Sequence, residues 1–244
     1  MGVTVSIMSP KGGVGKSTLS ILLATALYHK KELRVMVLDA DEPQHSVMKK
    51  RQRDLQIIAR APKRLELYEA LYSERPPYPI IGCSLDECPS LFQKYKDQYD
   101  IILVDTPRLV QQSEQHPFFK EINYFFIPLI PEELAFVETY RFYTFLQKKI
   151  MPFSDHFKRC LIILNKVQAH HKLSSVRRLF RGADIMEKGI QEHSYYEQEG
   201  RNTLFPMASD RKETKRFEDF LEDYLEMIYL ASIEPYYEEL MLKT

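Results

Sequence analysis

The chain has 244 residues, 44% of them hydrophobic, and its 34 lysines and arginines balance its 34 aspartates and glutamates. This length suits one sizeable α/β domain spanning residues 1–244 and is too short for two full domains. The formal net charge of zero excludes a strongly basic nucleic-acid binder on average charge, although it leaves a local basic face open.

The number and spacing of the cysteines, and the absence of long apolar segments, bear on the cellular compartment of the protein. Cys83, Cys88 and Cys160 lack CxxC spacing and are interpreted as structural thiols in a reducing cytosol. No segment has the length of a transmembrane helix, and the first residues lead directly into a predicted strand without a signal peptide. We therefore expect a cytoplasmic protein.

A glycine-rich loop follows the first predicted strand, at residues 3–8, and precedes a predicted buried helix at residues 19–27. Gly12 and the run from Gly15 to Ser17 have P-loop spacing, in which Lys16 reaches the β- and γ-phosphates and the hydroxyl of Ser17 holds Mg²⁺. A glycine-rich turn that happens to precede a lysine is the alternative, but the flanking strand and helix favour a nucleotide site. The predicted nucleotide-binding residues here are Gly12, Gly13, Val14, Gly15, Lys16, Ser17 and Thr18.

Acidic residues follow two further predicted strands. Residues 34–38 are followed by Asp39 and Asp41, at the strand end where α/β proteins bind ligands, although a solvated turn with a helix cap is the alternative. The apolar run 101–104 ends in Asp105. This is the Walker B pattern, in which a carboxylate reaches Mg²⁺ directly or through water.

The remaining segments complete an alternating order of strands and helices. Residues 44–60 predict a charged helix whose exposed face is solvated, with contact to a partner or DNA as the less favoured alternative. Residues 61–86 are less regular and include a proline-rich loop at 75–79. Strands are predicted at 124–130 and 160–167, and helices at 89–99, 132–149, 172–189 and, with an amphipathic pattern, 213–233. This order predicts an α/β fold with a doubly wound, mainly parallel sheet flanked by helices.

Four segments resemble one known family. The run from Lys11 to Thr18 is similar to the deviant Walker A motif of the ParA/MinD family of P-loop ATPases. The segment from Asp39 to Gln44 resembles the family's DxDPQ sequence with Glu42 inserted. Residues 99–107 resemble YDxxxxDTPP, with Arg108 in place of the second proline, and residues 127–131 resemble the family's IPxxP segment.

The resemblance implies roles for individual residues. It implies Mg²⁺ and ATP as ligands, and an ATP-dependent homodimer in which Lys11 reaches the nucleotide held by the other subunit. Lys11, Lys16 and Asp41 would be the catalytic residues, with Asp41 positioning the attacking water. Asp39 would support the Mg²⁺ shell formed with Ser17 and Asp105. Asn165, unless it is simply a loop asparagine, would read the adenine edge.

Within this family the sequence most resembles a ParA-type partition protein, whose ATP-bound dimer binds DNA without sequence preference and so associates with the nucleoid. Basic residues before the last predicted helix resemble the DNA-contacting segment of ParA proteins; they are Arg211, Lys212, Lys215 and Arg216. A ParB-like or other activating partner is implied, because the isolated subunit would hydrolyse ATP slowly.

Two other members of the family are alternatives. A MinD-like membrane-cycling ATPase needs a basic amphipathic C-terminal helix, whereas residues 234–244 are mostly acidic, so no membrane partner is expected. An Fe–S carrier needs a cysteine pair placed to hold a cluster, and Cys83 and Cys88 lack that spacing.

Overall fold

The strands of the computed structural model are β1 (Val3–Ser9), β2 (Val35–Asp39), β3 (Ile80–Gly82), β4 (Ile101–Arg108), β5 (Tyr124–Leu129), β6 (Arg159–Leu164) and β7 (Asp184–Ile185). The structure describes residues 2–108, 116–167, 174–185, 189–192, 194–197 and 201–206. These seven strands form one sheet in the order β3-β2-β4-β1-β5-β6-β7, and every pairing is parallel. All strands therefore present their carboxyl ends at one edge of the sheet.

Helices connect these strands. They are α1 (Lys16–Lys30), α2 (Ser46–Ala59), α3 (Pro62–Leu71), α4 (Cys88–Tyr95), α5 (Pro117–Lys120), α6 (Glu133–Phe145), α7 (Ser174–Leu179) and α8 (Ser194–Glu197). Helix α6 continues into a π-helical turn, Leu146–Ile150, and a 3₁₀ turn, Met151–Phe153. None of the helices in the described part of the chain combines the length and apolar character that a membrane span requires.

Helices cover both faces of the sheet. In β4, Ile101 and Leu103 belong to one buried cluster, which includes residues of α1 and α8. Ile102 and Val104 belong to a second cluster, which includes residues of α4, α5, α6 and α7. Because successive side chains of a strand point to opposite faces, the two clusters lie on opposite sides of the sheet. The doubly wound parallel sheet predicted from the sequence is confirmed.

The structure adds two short edge strands to the five predicted. Strands β3 and β7 have three and two residues, and only part of their surface is buried, so neither has the apolar run that marks a central strand. Within the described residues, the helix predicted over 172–189 is wrong after Leu179. After that residue the chain turns at Gly182, where φ is +87°, and enters β7.

The segment 61–86, predicted to be less regular, contains helix α3. None of the side chains of α3 is buried, and such a helix has no apolar stripe from which its period could be recognised. The helix predicted over 89–99 is α4, which ends earlier, at Tyr95. The final helix predicted over 213–233 lies outside the described residues.

Candidate functional site

The phosphate loop, residues 10–15, connects β1 to α1 at the carboxyl edge of the sheet. Gly13 and Gly15 have φ values of +75° and +94°, which side-chain-bearing residues rarely adopt. Gly15 is the N-cap of α1 and offers no side-chain acceptor, so the first N–H groups of the helix remain available to a ligand. A Cβ placed on Gly12 or Gly13 would meet no atom within 4 Å. The loop therefore has the open, donor-rich geometry that suits an anion.

A cleft of about 870 Å³ opens above this loop. Its walls come from the phosphate loop and the start of α1, the loop after β2, the end of β4 and the segments that follow β6; representative lining residues are Gly12, Lys16, Asp41, Arg108 and Asn165. Small-molecule sites are typically about 300–1,000 Å³. The predicted nucleotide-binding residues Ser17 and Thr18 also line it, as do Gly13 and Gly15, whereas Val14 is buried beneath the loop.

Two buried carboxylates lie below the cleft. Asp39 and Asp105 are directly opposite each other in the β2–β4 pair, and neither side chain is exposed. One oxygen of each carboxylate is hydrogen-bonded: Asp39 Oδ2 accepts the N–H groups of Val47 and Met48, both at 2.9 Å, and Asp105 Oδ1 accepts the hydroxyl of Ser20 at 3.1 Å. Asp39 thus serves as a cap for α2.

The other oxygen of each carboxylate, Asp39 Oδ1 and Asp105 Oδ2, is buried without a hydrogen-bond partner in the described structure. Buried acceptors of this kind normally have a partner, so this pair fits a bound cation. Among the described residues, no cluster of three His, Cys, Asp or Glu side chains could enclose a metal by itself. Such a site suits Mg²⁺, which keeps waters and uses substrate phosphates as ligands alongside one or two carboxylates.

Burial raises the pKa values of both carboxyls. Burial, with a smaller contribution from the neighbouring Asp39, raises the pKa of Asp105 to about 7, although the Ser17 hydroxyl and the Lys16 ammonium partly oppose the shift. Burial likewise raises the pKa of Asp39, opposed by the N–H groups of Met48 and Val47. A cation at this position would favour the ionised form of both groups.

The loop after β2 places two acids at the rim of the cleft. Asp41 and the inserted Glu42 both line it. The carbonyl of Asp41 accepts the N–H of His45, and His45 Nδ1 lies 2.9 Å from the carbonyl oxygen of Asp39. The structure therefore brings Asp41 to the same cleft as Lys16, which is the arrangement expected from the sequence.

Lys11 lies differently from the other predicted site residues. Its ammonium group pairs with the carboxylate of Glu132, the N-cap residue of α6, and Lys11 is not among the described residues that line the cleft. A lysine that serves the nucleotide of another subunit need not face the cleft of its own chain. Its role in a dimer stays a prediction.

Asn165 supports the phosphate loop from below. Its amide Nδ2 donates to the carbonyl of Val14 at 2.7 Å, and a Cβ on Gly15 would collide with the same amide nitrogen. Asn165 also lines the cleft, where its amide oxygen remains for a ligand. Its predicted role in reading adenine stays a prediction. The DNA-binding patch predicted at Arg211, Lys212, Lys215 and Arg216 lies outside the described residues.

The sequence did not indicate three contacts made by residues around the cleft. Ser20 donates to Asp105, Glu132 pairs with Lys11, and Arg108 donates through Nε to the carbonyl of Pro10 at 2.6 Å. The sequence did mark Arg108 as unusual, because an arginine stands there in place of the second proline of the motif that residues 99–107 resemble. The partners of Ser20 and Glu132 depend on tertiary proximity, for which the sequence alone gives no signal.

Comparisons with known proteins agree with this geometry. Residues 5–205 match the family described as the CobQ/CobB/MinD/ParA nucleotide binding domain. The chain is similar in structure to the putative plasmid partition protein of Borrelia burgdorferi B31 bound to AMPPNP, with 21% identity and a TM-score of 0.61 over 93% of this chain and 100% of that one. No curated protein sequence matches the chain.

Two further solved structures are similar. The ParA family ATPase of Chlorobium tepidum TLS has 18% identity and a TM-score of 0.66 over 90% of this chain and 97% of that one. The septum site-determining protein MinD of Pyrococcus horikoshii OT3, complexed with Mg-ADP, has 17% identity and a TM-score of 0.62 over 92% and 96%. At these identities the similarity of the structures concerns the fold.

We expect Asp105→Asn to stabilise the metal-free chain more at pH 8 than at pH 5. The pKa of Asp105 is about 7 in the folded chain, against an ordinary value of 3.8. Between these values the folded chain holds a proton that the unfolded chain has released, so the free energy of unfolding falls as the pH rises. The difference should reach a few kcal/mol, at about 1.4 kcal/mol per pKa unit. Urea unfolding in EDTA measures it.

The control for this experiment is Asp97→Asn, which removes an exposed carboxylate from the same chain. It should change stability little and by the same amount at both pH values. Equal stabilisation by Asp105→Asn at pH 5 and pH 8 would contradict the raised pKa.

Proposed function

The chain belongs to the CobQ/CobB/MinD/ParA family of nucleotide-binding domains, and from this premise we propose that it is a Mg²⁺-dependent ATPase that acts as an ATP-dependent homodimer. The observation that carries the proposal is the convergence of the phosphate loop, Lys16, the buried pair Asp39 and Asp105, and Asp41 on one cleft. AMPPNP and Mg-ADP in the similar structures support the choice of ligand.

Each residue has a defined task in this proposal. The loop N–H groups and the ammonium of Lys16 bind the phosphate chain and neutralise its charge. Ser17 and Asp105 hold Mg²⁺, with Asp39 in support. When bound, Mg²⁺ would supply positive charge that offsets the charge developing on the phosphates. Asp41 accepts a hydrogen bond from the water that attacks the γ-phosphorus; the bond from this phosphorus to the β–γ bridging oxygen breaks, and ADP and inorganic phosphate leave.

Dimer formation requires Lys11 to change partners. Lys11 is paired with Glu132 of its own chain, and Glu132 is 60% exposed, so this ion pair is weak and easily exchanged. In the ATP-bound dimer, Lys11 leaves Glu132 and contributes its charge to the phosphates held by the second subunit. The isolated subunit is therefore slow.

The proposed task of the ATPase is partition of a DNA or protein cargo. Its supporting feature is the cluster Arg211, Lys212, Lys215 and Arg216, which would contact DNA phosphates without reading sequence. The similarity to a plasmid partition protein supports this choice. A ParB-like or other partner would stimulate hydrolysis. A membrane-cycling function is the second candidate, because MinD proteins are among the similar structures.

The first test is Lys16→Ala, measured by calorimetric titration with Mg-ATP. Removing the ammonium takes away the main positive charge on the phosphates, so ATP affinity should fall by about a hundredfold or more. Lys94→Ala, which removes an exposed lysine on α4, is the control and should bind ATP like the wild type. Affinity within a few-fold of wild type for Lys16→Ala would refute the nucleotide site.

The second test concerns dimerisation, followed by light scattering with a non-hydrolysable ATP analogue. Lys11→Ala should bind the analogue but remain monomeric. Glu132→Gln should dimerise at a protein concentration lower by a few-fold, since an exposed ion pair contributes about 1 kcal/mol at most. The matched control is Glu133→Gln, which removes the same charge one residue away. If Glu132→Gln and Glu133→Gln behave alike, the pairing of Lys11 with Glu132 does not oppose dimerisation.

The third test separates partition from membrane cycling. ATP should place two copies of the basic cluster on one dimer, and log affinity for DNA falls by about 0.9 per neutralised phosphate for each log unit of salt. DNA binding should therefore show a steeper salt dependence with ATP than without it. Lys215→Glu with Arg216→Glu should weaken binding to any duplex while ATP affinity is unchanged.

The control for the DNA experiment is Lys63→Glu with Arg64→Glu, an equal charge change on the exposed helix α3. This control should bind DNA more tightly than the Lys215/Arg216 variant. DNA binding that ignores ATP, or that both double variants weaken equally, would remove the assignment of the cluster. ATP-dependent binding to anionic liposomes instead of DNA would establish the membrane function.

A further inference from the structure

Arg108 stands at the junction of β4 and the phosphate loop. The pairing of β1 with β4 is irregular near its end: Ile7 is opposite Asp105, whereas Ser9 is opposite Arg108. Strand β4 therefore uses one more residue than β1 over this stretch. The irregularity places Arg108 beside the last residue of β1, from which the phosphate loop departs.

Contacts on two sides hold the guanidinium group of Arg108 at the cleft. Its Nε donates to the carbonyl of Pro10 at 2.6 Å, and its Nη2 lies 3.8 Å from Oε1 of Glu138 on α6. The side chain is 54% exposed and lines the cleft together with Gly12 and Lys16. The group is thus anchored through Nε, and its partly exposed remainder carries further N–H donors.

Arg108 adds a positive charge to the side of the cleft that the phosphate loop and the end of β4 form. Lys11 pairs with Glu132 and is not among the described residues that line the cleft of its own chain. Lys166 and Arg201 also line the cleft, but they follow β6 and enter from the other side of the phosphate loop. Lys16 and Arg108 are therefore the described cations that the phosphate loop and the end of β4 bring to the cleft.

We propose that Arg108 binds the terminal phosphate of a nucleoside triphosphate within the same chain and so distinguishes a triphosphate from a diphosphate. The proposal rests on the ATP site proposed above. Arg108 lies three residues after Asp105 on β4, and Asp105 would help to hold the Mg²⁺ that accompanies a nucleoside triphosphate. A planar guanidinium matches phosphate oxygens with two parallel hydrogen bonds, whereas its contact with Glu138 is long, at 3.8 Å. The terminal phosphate displaces Glu138 as the partner of Arg108.

The test compares Mg-AMPPNP with Mg-ADP by calorimetric titration of Arg108→Gln. The parent chain and the Arg108→Gln chain both also carry Lys11→Ala. This substitution is expected to keep them monomeric, and so removes any contribution of dimerisation to triphosphate affinity. Loss of a charged hydrogen bond should lower AMPPNP affinity by about tenfold, while ADP affinity changes less than about twofold. Arg108→Lys, which keeps the charge but not the paired donors, should lose only part of the preference.

The control is Arg159→Gln, which removes an exposed arginine paired with Asp184 at the start of β6. It should leave both affinities unchanged. If Arg108 merely anchors the phosphate loop through Pro10, Arg108→Gln would lower AMPPNP and ADP affinity equally, and this result would overturn the inference. Unchanged affinities would overturn it too, while the ATP site itself would stand. If the parent chain binds neither nucleotide, the ATP site fails and the inference with it.

Discussion

Two buried carboxylates at the ends of neighbouring parallel strands constrain the whole cleft. Asp39 and Asp105 face each other without solvent, and their repulsion adds to the burial that raises the pKa of Asp105. N–H groups at the start of α2 donate to one oxygen of Asp39, and the hydroxyl of Ser20 donates to one oxygen of Asp105. An unpaired buried charge is costly, so the site is most stable when a cation occupies the side that the protein leaves unpartnered.

The same constraint fixes the loop that carries Asp41. Asp39 accepts the first free N–H groups of α2 through its side chain, and its carbonyl oxygen contacts His45. Asp39, at the start of this loop, therefore also contacts the residues at its end. Asp41 and Glu42 both lie inside this loop, and both line the cleft.

The sequence was sufficient for the central sheet and the phosphate loop, because both have strong local signals. Apolar runs marked the five central strands, and glycines at fixed spacing marked the loop. The edge strands β3 and β7 escaped prediction because they are short and partly exposed, and α3 because none of its side chains is buried. The contact of Ser20 with Asp105 and the partner of Lys11 arise from tertiary contacts between distant segments, which no local pattern encodes.

Helix α6 connects the chemistry of the cleft to the protein surface. Its N-cap residue Glu132 holds Lys11, and Glu138, on the helix itself, lies near Arg108, so two cations beside the phosphate loop rest on carboxylates of one element. In the proposed dimer, Lys11 moves to the phosphates held by the second subunit and Arg108 to those of its own chain, so both contacts with α6 are lost. The solvent side of the same helix exposes Leu134 and Val137. Triphosphate binding as proposed therefore exchanges two ion pairs, each worth little individually, at a helix that also carries an exposed apolar surface.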